Sequence, residues 1–358
     1  MRPFVYHALP SRVVFGSGTV VQLADEARAL DLSRILVLST PEQAEFARLA
    51  ERHLGGLAVA VFDGAVMHTP VAVTESALAI ARSHNVDGFC AIGGGSATGL
   101  SKALALRTDL PQIVVPTTYA GSEMTTILGQ TDNGSKTTLR DPKVLPETVI
   151  YDVDLTLSLP PLLSGVSGIN AIAHAVEALY VRETNPVLAL IAQEGIAALY
   201  RSLPLVAKHP GDRDARADAL YGAWLCALCL GQGGIALHHK LCHVLGGLFD
   251  LPHAQTHAII LPHVLAYNAP AIPDAISLIQ KAVGRDQPAA ALFELTQSVG
   301  APTALRDIGM PNDGIGRAVE AAMATPYWNP RALQPQILHR LLNYAWEGVC
   351  PSRAHYEN

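Results

Sequence analysis

Five of the fourteen histidines of this 358-residue chain fall between positions 238 and 257. His239 and His243 are four apart, as are Asn170 and His174, and on a helix that spacing puts each pair on one face. His253 follows ten residues after His243, beyond Gly246, Gly247 and Pro252. One imidazole in an apolar helix usually serves as a hydrogen-bonded core residue. Two helical pairs in apolar surroundings suit either a metal centre or a proton-transfer centre. His174, His239 and His253 with one oxygen ligand would accept Fe2+ or Zn2+. The oxygen available is the amide of Asn170, uncharged and weaker than a carboxylate, so a divalent ion is expected to be held weakly there or not at all. The same imidazoles can hydrogen-bond an oxyanion, bind carboxylates as imidazolium and return a proton.

A second chemical feature is Gly93-Gly94-Gly95-Ser96, which follows an apolar run and precedes a helix expected over Gly99 to Leu106. Glycines there let the backbone approach a phosphate, and the helix start supplies N–H groups and the positive end of its dipole. The spacing is not that of the dinucleotide fingerprint G-x-G-x-x-G. Pro116-Thr117-Thr118-Tyr119-Ala120-Gly121-Ser122-Glu123 ends the next apolar run with small hydroxyl residues, suited to a crevice beyond the carboxyl ends of parallel strands.

The elements that must hold these groups divide into two kinds. Ile35–Leu38, Leu57–Phe62, Phe89–Ile92 and Ile113–Val115 are short apolar runs, with helical spacing over Glu42–Leu54 and Val71–Ser83. Such alternation predicts an α/β domain with a parallel, Rossmann-like sheet covered on both faces. After Val149–Asp152 strand signals stop, and helices are expected over Asn170–Arg182, Val187–Leu203, Asp214–Leu230, His239–Leu248 and onward. The boundary falls near residues 155–165, with Leu159-Pro160-Pro161 as hinge. The expected organisation is a dinucleotide-binding α/β domain over 1–158 and an all-helical catalytic domain over 159–358.

Composition narrows the class. A hydrophobic share of 49% suits globular folding, and a net charge of −6 leaves no electrostatic footprint for nucleic acid or an anionic membrane. The first residues do not read as a signal peptide. The charge-free stretch Ala219–Leu237 reads as a core helix running into a glycine turn, not as a membrane span. Five scattered cysteines point to a reducing cytoplasm, and Cys226 and Cys229 to helix packing.

Taken in order, Val14-Phe15-Gly16-Ser17-Gly18, the glycine loop, Pro116-Thr117-Thr118, the helix with Asn170 and His174, and the histidines up to Pro252-His253 resemble the iron-containing (group III) alcohol dehydrogenase family over nearly the whole chain. Most members carry aspartate where this chain has Asn170, and another where it has Gly99. With the shortened threonine loop and Arg140-Asp141-Pro142, these departures resemble the branch that reduces the carbon–carbon double bond of maleylacetate, giving 3-oxoadipate. The resemblance implies NADH or NADPH bound by Gly94, Gly95, Ser96, Thr117, Thr118, Ser122 and Lys136, with His68 a looser match. It implies metal-ligand positions at Asn170, His174, His239 and His253, and His243 beside the reaction centre. Ser39-Thr40 lacks the acid that would repel a 2′-phosphate, so either nicotinamide cofactor is permitted. The substrate would be a small dianionic keto acid, with His243 the proton donor and Lys240, Arg140 and His238 further carboxylate partners. A homodimer is implied by resemblance alone. The rival expectations are a metal-dependent alcohol or aldehyde dehydrogenase and an idle metal- or nucleotide-binding protein.

Overall fold

The computed structural model describes Phe4, Tyr6, Ala8, Leu9 and residues 11–132 and 134–356, except the side chain of Lys136. The chain forms two compact units: one over Ala8–Leu159, and one from Pro160 onward that also takes in Phe4 and Tyr6, so the start of the chain groups with the helices and not with the expected 1–158.

The first unit alternates strands and helices: β1 (Arg12–Gly16), α1 (Leu23–Ala29), β2 (Ile35–Leu38), α2 (Ala44–Leu54), β3 (Ala58–Phe62), α3 (Val71–Ser83), β4 (Gly88–Gly93), α4 (Gly95–Thr108), β5 (Gln112–Pro116), the hairpin β6 (Ile127–Asp132) and β7 (Ser135–Arg140), and β8 (Thr148–Asp152). Six strands make one parallel sheet in the order β1-β8-β5-β4-β2-β3. Its inner strands are buried at every position and mostly apolar because both faces are covered. Val37, Cys90, Ile92, Ile113 and Val115 enter one core, and Leu36, Leu38, Phe89, Ala91 and Val114 the other. From β2 the chain goes out to the edge strand β3 and returns to β4 on the opposite side of β2. The carboxyl ends of β2 and β4 therefore flank a topological switch point, where open parallel sheets bind ligands.

Three local features differ from expectation. Strand β1 carries no clean apolar run because it is a half-exposed edge strand, paired with β8 from Arg12↔Thr148 to Gly16↔Asp152. Asp152 ties the two together by accepting from the backbone N–H groups of Gly18 and Val20, which explains the glycine-rich turn at the start of the chain. The β6–β7 hairpin is a polar two-stranded ribbon without apolar alternation. Helix α4 begins at Gly95, four residues before the expected start, because the low helix propensity of glycine hides its first turn.

The second unit is helical: α5 (Pro161–Ala178), α6 (Pro186–Lys208), α7 (Arg213–Gln232), α8 (Leu237–Phe249), α9 (His253–Asn268), α10 (Pro273–Val283), α11 (Pro288–Ser298), α12 (Gly314–Ala324) and α13 (Pro335–Glu347). Helix α5 starts nine residues before the expected Asn170, and every residue from Ser164 to Ala178 is buried. Small side chains allow this all-round burial: a Cβ at Gly168 would stand 2.6 Å from Leu203. Cys226 and Cys229 are buried on α7 with thiol pKa values pushed up by burial, which suits packing. Among the described residues no single helix is long and apolar enough to cross a membrane; α7 and α8 pass that test only together, across a 93° bend.

His263 is buried within α9, with Nδ1 2.9 Å from the Tyr356 hydroxyl and Nε2 without a partner. Burial, aided by His355, pushes its pKa down from 6.5 to about 3. Below pH 6.5 the unfolded chain takes up this proton first, so the stability that the neutral imidazole contributes above pH 6.5 is lost as pH falls toward 3. The loss from this residue reaches about 2 kcal/mol by pH 5. Urea denaturation of His263→Met at pH 7.5 and pH 5 should show an acid-induced drop smaller than the parent's by that amount. An equal drop would remove His263 as its source.

Candidate active site

In the helical unit the predicted histidines come together, along with His238, expected as a carboxylate partner, and His257, which sequence reasoning did not assign to the centre. His174 on α5 stacks on His239 of α8, with ring centroids 5.2 Å apart and planes at 20°. His239 lies 5.1 Å from His238, 5.1 Å from His257 and 6.1 Å from His243, and His257 lies 4.3 Å from His253 on the first turn of α9. His174 and His239 are buried, whereas His243 and His253 are exposed. Burial, then the neighbouring rings of His239 and His253, drive the His174 pKa well below the usual histidine range, so its imidazole is neutral.

Asn170 Oδ1, His174 Nδ1 and His239 Nε2 are buried atoms without a protein partner. An amide oxygen and neutral imidazole nitrogens are donors that fit a borderline divalent ion such as Fe2+ or Zn2+. The set is open, however. Among the described residues the one group of histidine, cysteine or carboxylate ligand atoms all within 4.8 Å of one another is His238, Cys242 and His257, not His174, His239 and His253. In that group His238 Nε2 and His257 Nδ1 already share a hydrogen bond of 2.9 Å, and burial keeps the Cys242 thiol protonated. Both rings are fully buried, and the bond to His257 occupies Nε2 of His238, expected as a carboxylate partner, while its Nδ1 has no protein partner.

Sequence reasoning missed the residue that orients this cluster. Glu177 is one turn beyond His174 on α5 and fully buried. Its Oε2 accepts from His239 Nδ1 at 2.6 Å and from the backbone N–H of Ala236 at 2.7 Å, while Oε1 accepts from the N–H of His238 at 2.8 Å and from the Tyr180 hydroxyl at 3.3 Å. One carboxylate thus caps the start of α8, where no residue of the helix itself does so, and fixes the His239 tautomer with hydrogen on Nδ1 and the lone pair on Nε2. The available signal was an acid in the otherwise apolar run Ala175–Leu179. Tyr327, also missed, places its hydroxyl 3.3 Å from His243 Nδ1 and its ring 5.2 Å below the Lys240 ammonium.

In the α/β unit the glycine turn and the threonine turn are neighbours because β4 and β5 pair in register, Gly93 opposite Pro116. Gly94 is the extended N-cap of α4, and a Cβ there would stand 3.1 Å from Thr118, so the two turns touch through a position that only glycine leaves open. Gly95 is exposed; Ser96 and Thr118 are half-buried. Thr117 is buried, and its hydroxyl accepts from Gln43, another residue missed from sequence. Ser122 opens a short turn whose backbone is held by buried Lys102: Nζ donates to the carbonyls of Ser122 and Thr125 at 2.7 Å each and to the Thr125 hydroxyl at 2.9 Å. Burial lowers the Lys102 pKa to about 7, with the Glu123 carboxylate opposing. A side chain at Gly99 would run into Thr69, so the family aspartate does not fit this backbone unless Thr69 moves. His68 is exposed on the loop before α3 with φ 65°, and Arg140 is exposed at the end of β7. Lys136 is on β7 opposite Thr131, with its side chain outside the described part.

Glu177→Gln tests the tautomer. Its amide nitrogen, turned toward His239 Nδ1, would require that nitrogen to accept, moving the hydrogen to Nε2. A reduction in activity or in metal affinity of about 10- to 100-fold is expected, with the tautomer read from imidazole 15N shifts. An unchanged tautomer with full activity would show that Glu177 does not set it.

Two family descriptions match the chain: "Iron-containing alcohol dehydrogenase" over residues 10–153 and "Fe-containing alcohol dehydrogenase family, C-terminal" over residues 165–346. The maleylacetate reductase of Sphingobium indicum is 54% identical over 351 residues, covering 98% of this chain and 99% of that protein. That of Rhizobium sp. strain MTP-10005 is 51% identical over 351 residues, covering 98% and 100%. The crystal structure of maleylacetate reductase from Agrobacterium tumefaciens superposes with a TM-score of 0.96 at 51% identity, covering 98% of this chain and all of that one. The chain belongs to the iron-containing alcohol dehydrogenase family.

Proposed function

We propose that this protein reduces the carbon–carbon double bond of maleylacetate with NADH or NADPH, giving 3-oxoadipate in the degradation of aromatic compounds. The observation that carries this reading is the buried imidazole cluster with an amide, Asn170, in place of a carboxylate, in a chain half-identical over its length to maleylacetate reductases. In this reading residues 1–158 bind the nucleotide through Gly94, Gly95, Ser96, Thr117, Thr118, Ser122 and Lys136, and residues 159–358 carry the reduction. The switch point at β2 and β4 supports the nucleotide assignment. Ser39 at the end of β2 carries no charge to repel a 2′-phosphate.

The reaction adds hydride from the nicotinamide to the alkene carbon β to the ketone. The π electrons move onto the ketone oxygen as an enolate, and a proton then completes the neighbouring carbon, leaving oxidised cofactor. Stabilising that enolate is the main electrostatic task. Buried, neutral His174, whose Nδ1 has no protein partner, can turn a ring N–H to the enolate oxygen, whereas the lone pair that Glu177 leaves on His239 Nε2 suits a cation. Exposed His243, bonded to Tyr327, has the solvent access a proton donor needs to be recharged. A divalent ion held by Asn170, His174, His239 and His253 would polarise the ketone oxygen when bound. The unpartnered atoms of the first three favour this second reading of the cluster, a metal-dependent dehydrogenase.

Purified protein mixed with maleylacetate should oxidise NADH or NADPH, followed by absorbance; no oxidation with either cofactor would remove the reading. His243→Ala should lower kcat by about 100-fold or more, and a kcat within about threefold would reassign the proton donor. Dialysis against chelator should leave the rate within about threefold of the untreated enzyme if the side chains alone stabilise the enolate. Loss of activity restored by Fe2+ or Zn2+ would make the ion the carrier of that charge.

A further inference from the structure

Lys240 is 8% exposed, and its ammonium has three hydrogens to place. One goes to the Thr325 hydroxyl at 2.9 Å, and the face of Tyr327 lies 5.2 Å below. Both partners are neutral. Among the described residues no carboxylate is within ion-pair distance of this nitrogen, although the more exposed bases Arg12, Arg107, Lys143, Arg201 and Arg285 each have one. A buried cation without a counter-charge is costly, and an anion bound beside it would offset that cost. We propose that Lys240 is the receptor for one carboxylate of the substrate and sets the preference for dicarboxylates.

The neighbours support this assignment. Lys240 is three residues before His243 on α8, so the two side chains share one side of the helix. Tyr327 joins them, its hydroxyl on His243 and its ring under the ammonium. An acid group held by Lys240 would stand beside the imidazole that serves as proton donor in the proposed reaction. Of the other two carboxylate partners expected from sequence, His238 is fully buried with Nε2 bonded to His257, and Arg140 is exposed on the β6–β7 ribbon of the α/β unit.

The inference rests on the proposed reaction for the identity of the diacid, but its chemistry is testable without turnover. The first measurement is binding of adipate, a dicarboxylate that cannot be reduced, to the parent and to Lys240→Met by calorimetry. The variant should bind about 10- to 100-fold more weakly. In the absence of ligand it should melt at the same temperature as the parent or higher, since an uncompensated charge has been removed. A lower melting temperature with unchanged adipate affinity would make Lys240 structural and overturn the proposal. The second measurement separates two sources of anion. The KM for maleylacetate should rise by the same factor while the dissociation constant for NADH, from its fluorescence, stays within about twofold. A rise in the NADH constant alone would assign the ammonium to a cofactor phosphate and also overturn the proposal. Lys240-dependent adipate binding in a protein inactive on maleylacetate would sink the reaction and keep the carboxylate receptor. Full activity on maleylacetate with an unchanged KM in Lys240→Met would do the reverse.

Discussion

The imidazole cluster depends on one buried carboxylate. Glu177 accepts hydrogen bonds from four donors on two segments of chain: a tyrosine just past the end of its own helix and, at the start of α8, two backbone N–H groups and the ring of His239. The 93° bend between α7 and α8 leaves the first N–H groups of α8 without helical partners, and burial forbids water from serving them. The negative charge answers that need and complements the helix dipole. Because the same two oxygens also hold His239, the direction of α8 and the aim of His239 Nε2 are not independent. Lys240 and His243 occur on the same helix, so their placement follows from the same carboxylate.

What that arrangement offers is a centre without net negative charge at the positions where a substrate oxygen would bind. Asn170 contributes an amide oxygen, and His174 is kept neutral by burial. A carboxylate at position 170 would strengthen cation binding, but it would also repel a dianion. The amide lowers that repulsion, and Lys240 adds a positive charge one turn from His243 on α8. A conjugated keto-diacid needs its enolate stabilised and its carboxylates bound, and both needs are served by neutral or cationic groups. Stabilisation of an alkoxide from a simple alcohol would place more of the demand on a metal.

In the α/β unit the corresponding constraint is strand order. The return of the chain across β2 opens the switch point, and pairing of β4 with β5 brings the glycine and threonine turns together. Gln43 and Lys102 then hold those turns from behind, one through the Thr117 hydroxyl and the other through backbone carbonyls. These supports act on backbone and hydroxyl geometry, so their residue types bear no evident relation to a nucleotide.

The amino-acid sequence by itself determined the features that are local. Apolar runs marked β2 to β5, four-residue spacing put Asn170 with His174 and His239 with His243, and the order of the motifs identified the family and its maleylacetate-reducing branch. Periodicity extends over a few residues and reports which face of an element is buried, not what that face meets. The tertiary structure alone decided the pairing of β1 with β8 and the bond between His239 and Glu177, 62 positions apart. It also withdrew His238 into a bond with His257 and left Lys240 without a counter-charge. Each of these turns on which distant groups share a buried volume, where desolvation makes every polar partner, or its absence, count.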